Sequence, residues 1–230
     1  MSLEAAIKSG NVPLVRLMID NGESVAENHA LQSACFSGQT EMVRMLLELD
    51  CGVSARDNDA LQTASINGHT EIVRMLLDLP AERCVDPAAK NNLALRDTSI
   101  HGHTEIVRML LDLPLERGVN PAANDNEALR YACGRGHMEI VRMLLALDRG
   151  VNPSAYHNYA LRMACQNGHT EIVRLLLELP LDRGVNPSAC YNDALRIASH
   201  NGYTEIVRML LDLPLDRGVN PATHSTSDVW

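Results

Sequence analysis

One phrase recurs along this 230-residue chain and leaves few folds open to it. Asn-x-Ala-Leu begins at Asn28, Asn58, Asn92, Asn126, Asn158 and Asn192, in steps of 30, 34, 34, 32 and 34 residues. A second phrase is written most fully as Asn67-Gly68-His69-Thr70-Glu71-Ile72-Val73-Arg74-Met75-Leu76-Leu77. Its glycine stands at 10, 38, 68, 102, 136, 168 and 202. A period of this length marks supersecondary units that cannot bury an apolar face alone and therefore stack. The pattern sets one array over 1–222: a shortened first unit over 1–27, then units from 28, 58, 92, 126, 158 and 192. Residues 223–230 follow as a tail, in which Val229 and Trp230 are candidates to fold over the last unit.

Each unit reads as two short helices and a connector. In the Asn58 unit, Ala60, Leu61, Ala64 and Ser65 fall at helical spacing, and Gly68 ends that helix. Asn58 is expected to cap the first helix and Thr70 the second, each accepting from free N–H groups of its own first turn. Ile72, Val73, Leu76 and Leu77 form the second helix's buried stripe. Arg74, with Glu71 and Asp78, is expected to make an outward ion-pair ladder. Nine of the ten prolines lie in connectors, where a helix cannot continue. Most connectors carry Arg-Gly-Val-Asn-Pro, as at Arg117 to Pro121; Cys84 replaces that glycine once. If the position needs positive φ, the replacement costs about 1 kcal/mol.

Composition agrees. Hydrophobic residues make up 46% and aromatics 3%, so the apolar load is Leu, Ala, Val, Ile and Met. That suits small, closely packed helices and argues against a sandwich or barrel. A tetratricopeptide array shares the 34-residue period but uses two longer helices with little connector. The step also varies within the connectors alone, as loops allow and packed helices do not.

These phrases resemble the ankyrin repeats, over essentially the whole chain. The resemblance rests on the Ala-Leu series, the Gly168-His169-x-Glu171-Ile172-Val173-x-x-Leu176-Leu177 type series, and Gly-Val-Asn in the loop after the second helix. It implies an all-α repeat, an ankyrin-like solenoid of seven helix-turn-helix units with long Pro/Gly connectors. The usual Thr-Pro-Leu-His start is replaced by Asn-x-Ala-Leu-Arg or Asn-x-Ala-Leu-Gln, and most connectors carry an extra Leu-Pro, so the fingers depart from the standard hairpin.

The repeat supplies its own control. Residues that recur in register are scaffold; those that vary in register are free to bind. Sixteen of eighteen arginines recur at three register positions and read as solvated or inter-unit groups; Arg56 and Arg135 stand apart. His69, His103, His137 and His169 recur after the turn glycine, and the resemblance implies hydrogen bonds that link units. His101 and His103 alone make no metal site without a third ligand. Cys35, Cys133 and Cys165 replace Ser65, Ser99 and Ser199 as small packing residues; Cys51, Cys84 and Cys190 lie in connectors. No CxxC occurs, so the thiols are read as free.

The aromatics obey no register, and all five tyrosines lie beyond Asn126. Tyrosine offers apolar area and a hydroxyl at low entropy cost, which favours it at interfaces. The resemblance implies partners along the concave side, on first helices and finger tips. It gives the candidate face Tyr131, Arg135, Tyr156, His157, Tyr159, Met163, Gln166, Tyr191, Ile197 and His200. The expected function is a non-catalytic protein-interaction module, an adaptor or scaffold. A structural spacer or self-assembling element is the alternative, and an enzyme a remote one, since no catalytic motif is present. A net charge of −9 fits nucleic acid poorly and directs the partner expectation to a neutral or basic protein segment. No membrane span, secretory signal, metal or cofactor is expected; the reading is an intracellular, cytoplasmic monomer.

Overall fold

A computed structural model describes residues 2–23, 29–49, 58–80, 83, 85–147, 149–183 and 185–214. The chain divides into two compact parts, Met1–Val119 and Asn120–Trp230. The first part holds α1 (Leu3–Lys8), α2 (Val12–Asp20), α3 (His29–Phe36), α4 (Thr40–Glu48), α5 (Asn58–Ile66), α6 (Thr70–Leu77), α7 (Ala89–His101) and α8 (Thr104–Leu111). The second holds α9 (Ala123–Arg135), α10 (Met138–Ala146), α11 (Ala155–Gln166), α12 (Thr170–Glu178), α13 (Ala189–His200) and α14 (Thr204–Leu211). The described residues thus form seven helix pairs, and none of them is in a strand. Odd-numbered helices pack side by side within each part, and even-numbered helices form a second row against them.

The core is the predicted one. Ala60, Leu61 and Ala64 of α5 meet the α6 stripe of Ile72, Val73, Leu76 and Leu77, all buried. The same positions are buried in α9 and α10, as Ala128, Leu129, Ala132, Ile140, Val141, Leu144 and Leu145. Small first-helix residues let the pairs approach closely, so no aromatic is needed for filling. None of the described helices is long and apolar enough to cross a membrane.

The turn glycine carries two constraints. Gly68 has φ +74°, and its N–H bonds the Ser65 carbonyl while the His69 N–H reaches the Ala64 carbonyl. That is a helix stop in which the left-handed residue favours glycine. A Cβ on Gly68 would also stand 2.5 Å from Cε1 of His103, because the histidine of the next repeat lies over it.

Two cap assignments change. Asn58 does not cap its own helix: its Oδ1 accepts from the Asp86 N–H, 28 residues on, at 2.8 Å. Asn126 and Asn158 do the same for the N–H groups of Asn152 and Asn186, each at 2.8 Å. Thr70 is the first residue of α6 rather than its cap, which is His69 without a side-chain capping bond; Thr70 Oγ1 instead turns to the Gly68 carbonyl at 3.5 Å. The boundary moves by one residue because Gly-His-Thr holds the turn in backbone bonds, with the Thr70 N–H itself bonded to the Gly68 carbonyl.

The ion-pair ladder also differs. Arg74 approaches Glu71 within its helix at 3.8 Å, as expected, but its second partner is Glu105 of the next repeat at 3.9 Å, not Asp78. Arg174 likewise pairs with Glu205 at 2.8 Å. The register that brings second helices side by side puts the next repeat's first-turn carboxylate nearer than the helix's own C-terminal one.

Candidate functional site

The connectors build finger tips from ordered turns. Leu115–Arg117 is a short 3-10 helix closed by Gly118 at φ +75°, and Gly150 has φ +72°. The recurring glycine therefore does answer a need for positive φ; Cys84 at that register lies outside the described residues. Next, Asn120 Oδ1 accepts from the Ala122 N–H at 2.9 Å, and the Ala123 N–H reaches the Asn120 carbonyl at 3.2 Å. Asn-Pro thus starts a turn with its first two positions preset. Arg117 Nη1 donates to the Leu77 carbonyl at 3.2 Å and Arg183 Nη2 to the Leu145 carbonyl at 3.0 Å. The connector arginine thus reaches back past its own repeat to the end of the second helix one repeat earlier, α6 for Arg117 and α10 for Arg183, where a cation is favoured.

Each following tip makes one left-handed turn of three residues before its helix runs right-handed. The triplets are Lys90-Asn91-Asn92, Asn124-Asp125-Asn126, Tyr156-His157-Asn158 and Cys190-Tyr191-Asn192, with φ between 50° and 63°. Left-handed φ costs a non-glycine residue about 1–2 kcal/mol, least for Asn and Asp. Asn at the third position tolerates the conformation, and Asn126 and Asn158 also tie the tip to the next repeat through Oδ1.

Tyr156 and His157 are therefore presented outward on a constrained turn, and Tyr191 on the next tip is 89% exposed. Tyr156 meets Tyr159 edge to face, ring centroids 5.6 Å apart. The Arg130 guanidinium lies 4.8 Å from the Tyr156 centroid and 5.2 Å from that of Tyr159. Arg162 lies 5.7 Å from the Tyr159 centroid and forms an ion pair with Asp193, Nε to Oδ2 at 2.7 Å. Arg196 pairs with the same carboxylate. One chain of interactions, Tyr156, Arg130, Tyr159, Arg162, Asp193, Arg196, thus links α9, α11 and α13.

The remaining candidates fall into two sets. Tyr131, Met163 and Ile197 share one register position on α9, α11 and α13, the first exposed and the others half-buried. Met163 leans on α9 where Gly134 leaves room: a Cβ there would stand 3.2 Å from Met163 Cβ. Gln166 and His200 lie at the exposed ends of α11 and α13, and Arg135 at that of α9. They are not drawn into the tyrosine–arginine cluster. Sequence reasoning filed Arg130, Arg162 and Arg196 as scaffold and did not single out Asp193. The available signal was the residue after Asn, which changes from Glu127 to Tyr159 to Asp193 beside an unchanging arginine.

The charge of the candidate face differs from that of the chain as a whole. Residues 1–119 hold seventeen acids against ten bases, and 120–230 twelve against ten. On α9, α11 and α13 four arginines face three carboxylates, and Asp193 is buried. The negative charge is carried mainly elsewhere.

The linking histidines behave as the resemblance implies. His69 Nε2 lies 3.2 Å from the Phe36 carbonyl, His103 Nε2 3.0 Å from that of Ile66 and His169 Nε2 3.1 Å from that of Gly134. His101 and His103 stack at 6.0 Å, but His101 Nδ1 is committed to the Asp97 carbonyl at 2.8 Å. Among the described residues no group of three or more His, Cys, Asp or Glu is placed to hold a metal ion. Cys35, Cys133 and Cys165 are buried free thiols and Cys190 is exposed. Burial pushes the Cys165 thiol up to about 12 and that of Cys133 higher still. Cys51, Arg56, Val229 and Trp230 lie outside the described residues.

Comparison with known proteins agrees with this architecture. A family model described as ankyrin repeats (3 copies) matches residues 3–90, 61–157 and 147–223. The chain belongs to the ankyrin-repeat family. Among solved structures it is similar to the human ASB11 ankyrin repeat domain, at 21% identity and a TM-score of 0.71, covering 93% of this chain and 99% of that one. It is also similar to an ankyrin repeat domain from Acinetobacter baumannii AYE, at 28% identity and a TM-score of 0.60, covering 79% and 95%. No curated protein matches the sequence.

Proposed function

We propose that this chain is a non-catalytic protein-interaction module, an adaptor or scaffold whose partner lies along the concave side. The contact residues are on α9, α11 and α13 and the tips between them: Tyr131, Arg135, Tyr156, His157, Tyr159, Met163, Gln166, Tyr191, Ile197 and His200. The observation that carries this reading is the tyrosine–arginine cluster. Tyrosines stand where the repeat does not require them; Tyr131, Tyr156 and Tyr191 are exposed, and Tyr156 and Tyr159 lie against the Arg130 guanidinium. Pre-ordered aromatic groups cost little entropy on binding. The partner is a protein, bound by a monomer without metal or cofactor.

The test is affinity capture with the full chain and with Tyr131→Ala/Tyr156→Ala/Tyr191→Ala. The variant is expected to melt cooperatively while losing partners that the parent captures. Identical partners at identical affinity would overturn the face.

A further inference from the structure

A helix pair that is followed by another hides positions that α13 and α14 leave open. Leu145 and Leu177, near the ends of α10 and α12, are 8% and 7% exposed; Leu211, at that register on α14, is 48% exposed. Val141 and Val173 are wholly buried, and Val207 is half-buried. The edge is open at the turn as well. A Cβ on Gly136 or Gly168 would stand 2.7 or 2.6 Å from the ring of the next repeat, whereas one on Gly202 would meet no described atom within 4 Å. A repeat stack stays soluble when such an end face is covered or polar. This one is apolar at Leu211 and Val207.

The sequence after α14 carries what the edge lacks. Residues 213–221, Leu-Pro-Leu-Asp-Arg-Gly-Val-Asn-Pro, are identical to residues 179–187. The connector therefore keeps its length and the register carries on by 34 residues: Thr226 stands where Asn192 does, and Val229 where Leu195 does. First-helix leucines at that register, Leu129, Leu161 and Leu195, are at most 4% exposed. They face the repeat before them, since Leu3, with no described helix before it, is only half-buried. Val219 likewise shares the register of Val119 and Val151, both buried in their connectors. We propose that residues 215–230, which lie outside the described residues, seat on this edge of their own chain. Val229 takes the leucine position against α13, and Trp230 covers Leu211, where the second helix of a further repeat would lie. A tryptophan brings the largest apolar area of any side chain to the most exposed apolar point of the edge. The connector tethers it there at an effective concentration on the order of mM, which favours the chain's own segment over a second copy.

Trp230 is the chain's only tryptophan, so its fluorescence reports its own surroundings. The test is acrylamide quenching of the full chain, native and in urea. Native emission is expected at shorter wavelength and quenched at least roughly threefold less efficiently than in urea. Leu211→Asp and Val229→Asp should each abolish that protection, and Leu17→Asp, at an exposed position on α2, should keep it. Cooperative thermal melts show that each variant still folds. Equal quenching in the native and unfolded chain overturns the proposal. Protection that survives Leu211→Asp overturns the edge, and protection that survives Val229→Asp overturns the register. Protection lost on dilution, with dimers in sedimentation, gives the edge to a second copy instead. The partner face is judged separately, by loss of captured partners from the tyrosine variant.

Discussion

The guanidinium of Arg130, on α9, lies 4.8 Å from the centroid of the Tyr156 ring on the tip that leads into the next repeat. The interaction turns a recurring scaffold arginine into the support for a residue unique to its register. A double-mutant cycle of Arg130→Met and Tyr156→Leu should give a coupling of about 0.5–1 kcal/mol in urea denaturation. Additive losses would mean that the ring and the cation are neighbours without interaction.

Gly68 and His103 should be coupled more strongly. Gly68→Ala forces a Cβ into a residue at φ +74° and against the His103 ring, so it should cost about 2 kcal/mol or more. His103→Ala gives up the bond to the Ile66 carbonyl and should cost about 1–2 kcal/mol. The double variant should lose less than the sum, because the clash disappears with the ring. Thermal melts of the four proteins measure this.

Asn158 separates a left-handed role from a helical one. Asn158→Gly keeps positive φ and loses only the bond to the Asn186 N–H. Asn158→Ala loses both, and should be less stable than the glycine variant by about 1 kcal/mol. A helix interior would order them the other way, with glycine about 1 kcal/mol worse than alanine. Urea midpoints of the two variants decide it.

The buried thiols predict an alkaline loss of stability. Cys165 ionises at about 12 in the folded chain against an ordinary 9.0, since burial disfavours the thiolate. Between those values the unfolded state binds fewer protons, so stability falls as pH rises, by at most about 1.4 kcal/mol per unit per thiol. Below 9.0 the thiol is protonated in both states and contributes no slope. Urea midpoints at about pH 8 and about pH 10 should differ less in Cys165→Ala than in the parent. In the native chain Cys190 should be alkylated while Cys133 and Cys165 react only on unfolding.

Much of this fold was legible in the sequence because a repeat writes its core many times over. Ile72, Val73, Leu76 and Leu77 recur in register, so their burial followed from spacing alone. The caps were less legible. Asn58 and Thr70 are cap-type residues beside helix starts, but backbone turns and the neighbouring repeat claim their side chains first. The left-handed triplets left no glycine to betray them, since Asn ends each one and Tyr156 or Cys190 begins it. At the candidate site, register comparison found Tyr156 and Tyr159 because they vary. It passed over Arg130, Arg162 and Arg196 because they do not. A residue that serves the scaffold in one repeat can support a binding face in another, and only the packing of one repeat on the next distinguishes the two.

The binding face itself is tested most directly by hydrogen exchange of the full chain with and without a captured partner. Slowed exchange is predicted in α9, α11 and α13 and in the tips bearing Tyr156 and Tyr191, with α10, α12 and α14 unchanged. Protection confined to α10, α12 and α14 would contradict the account.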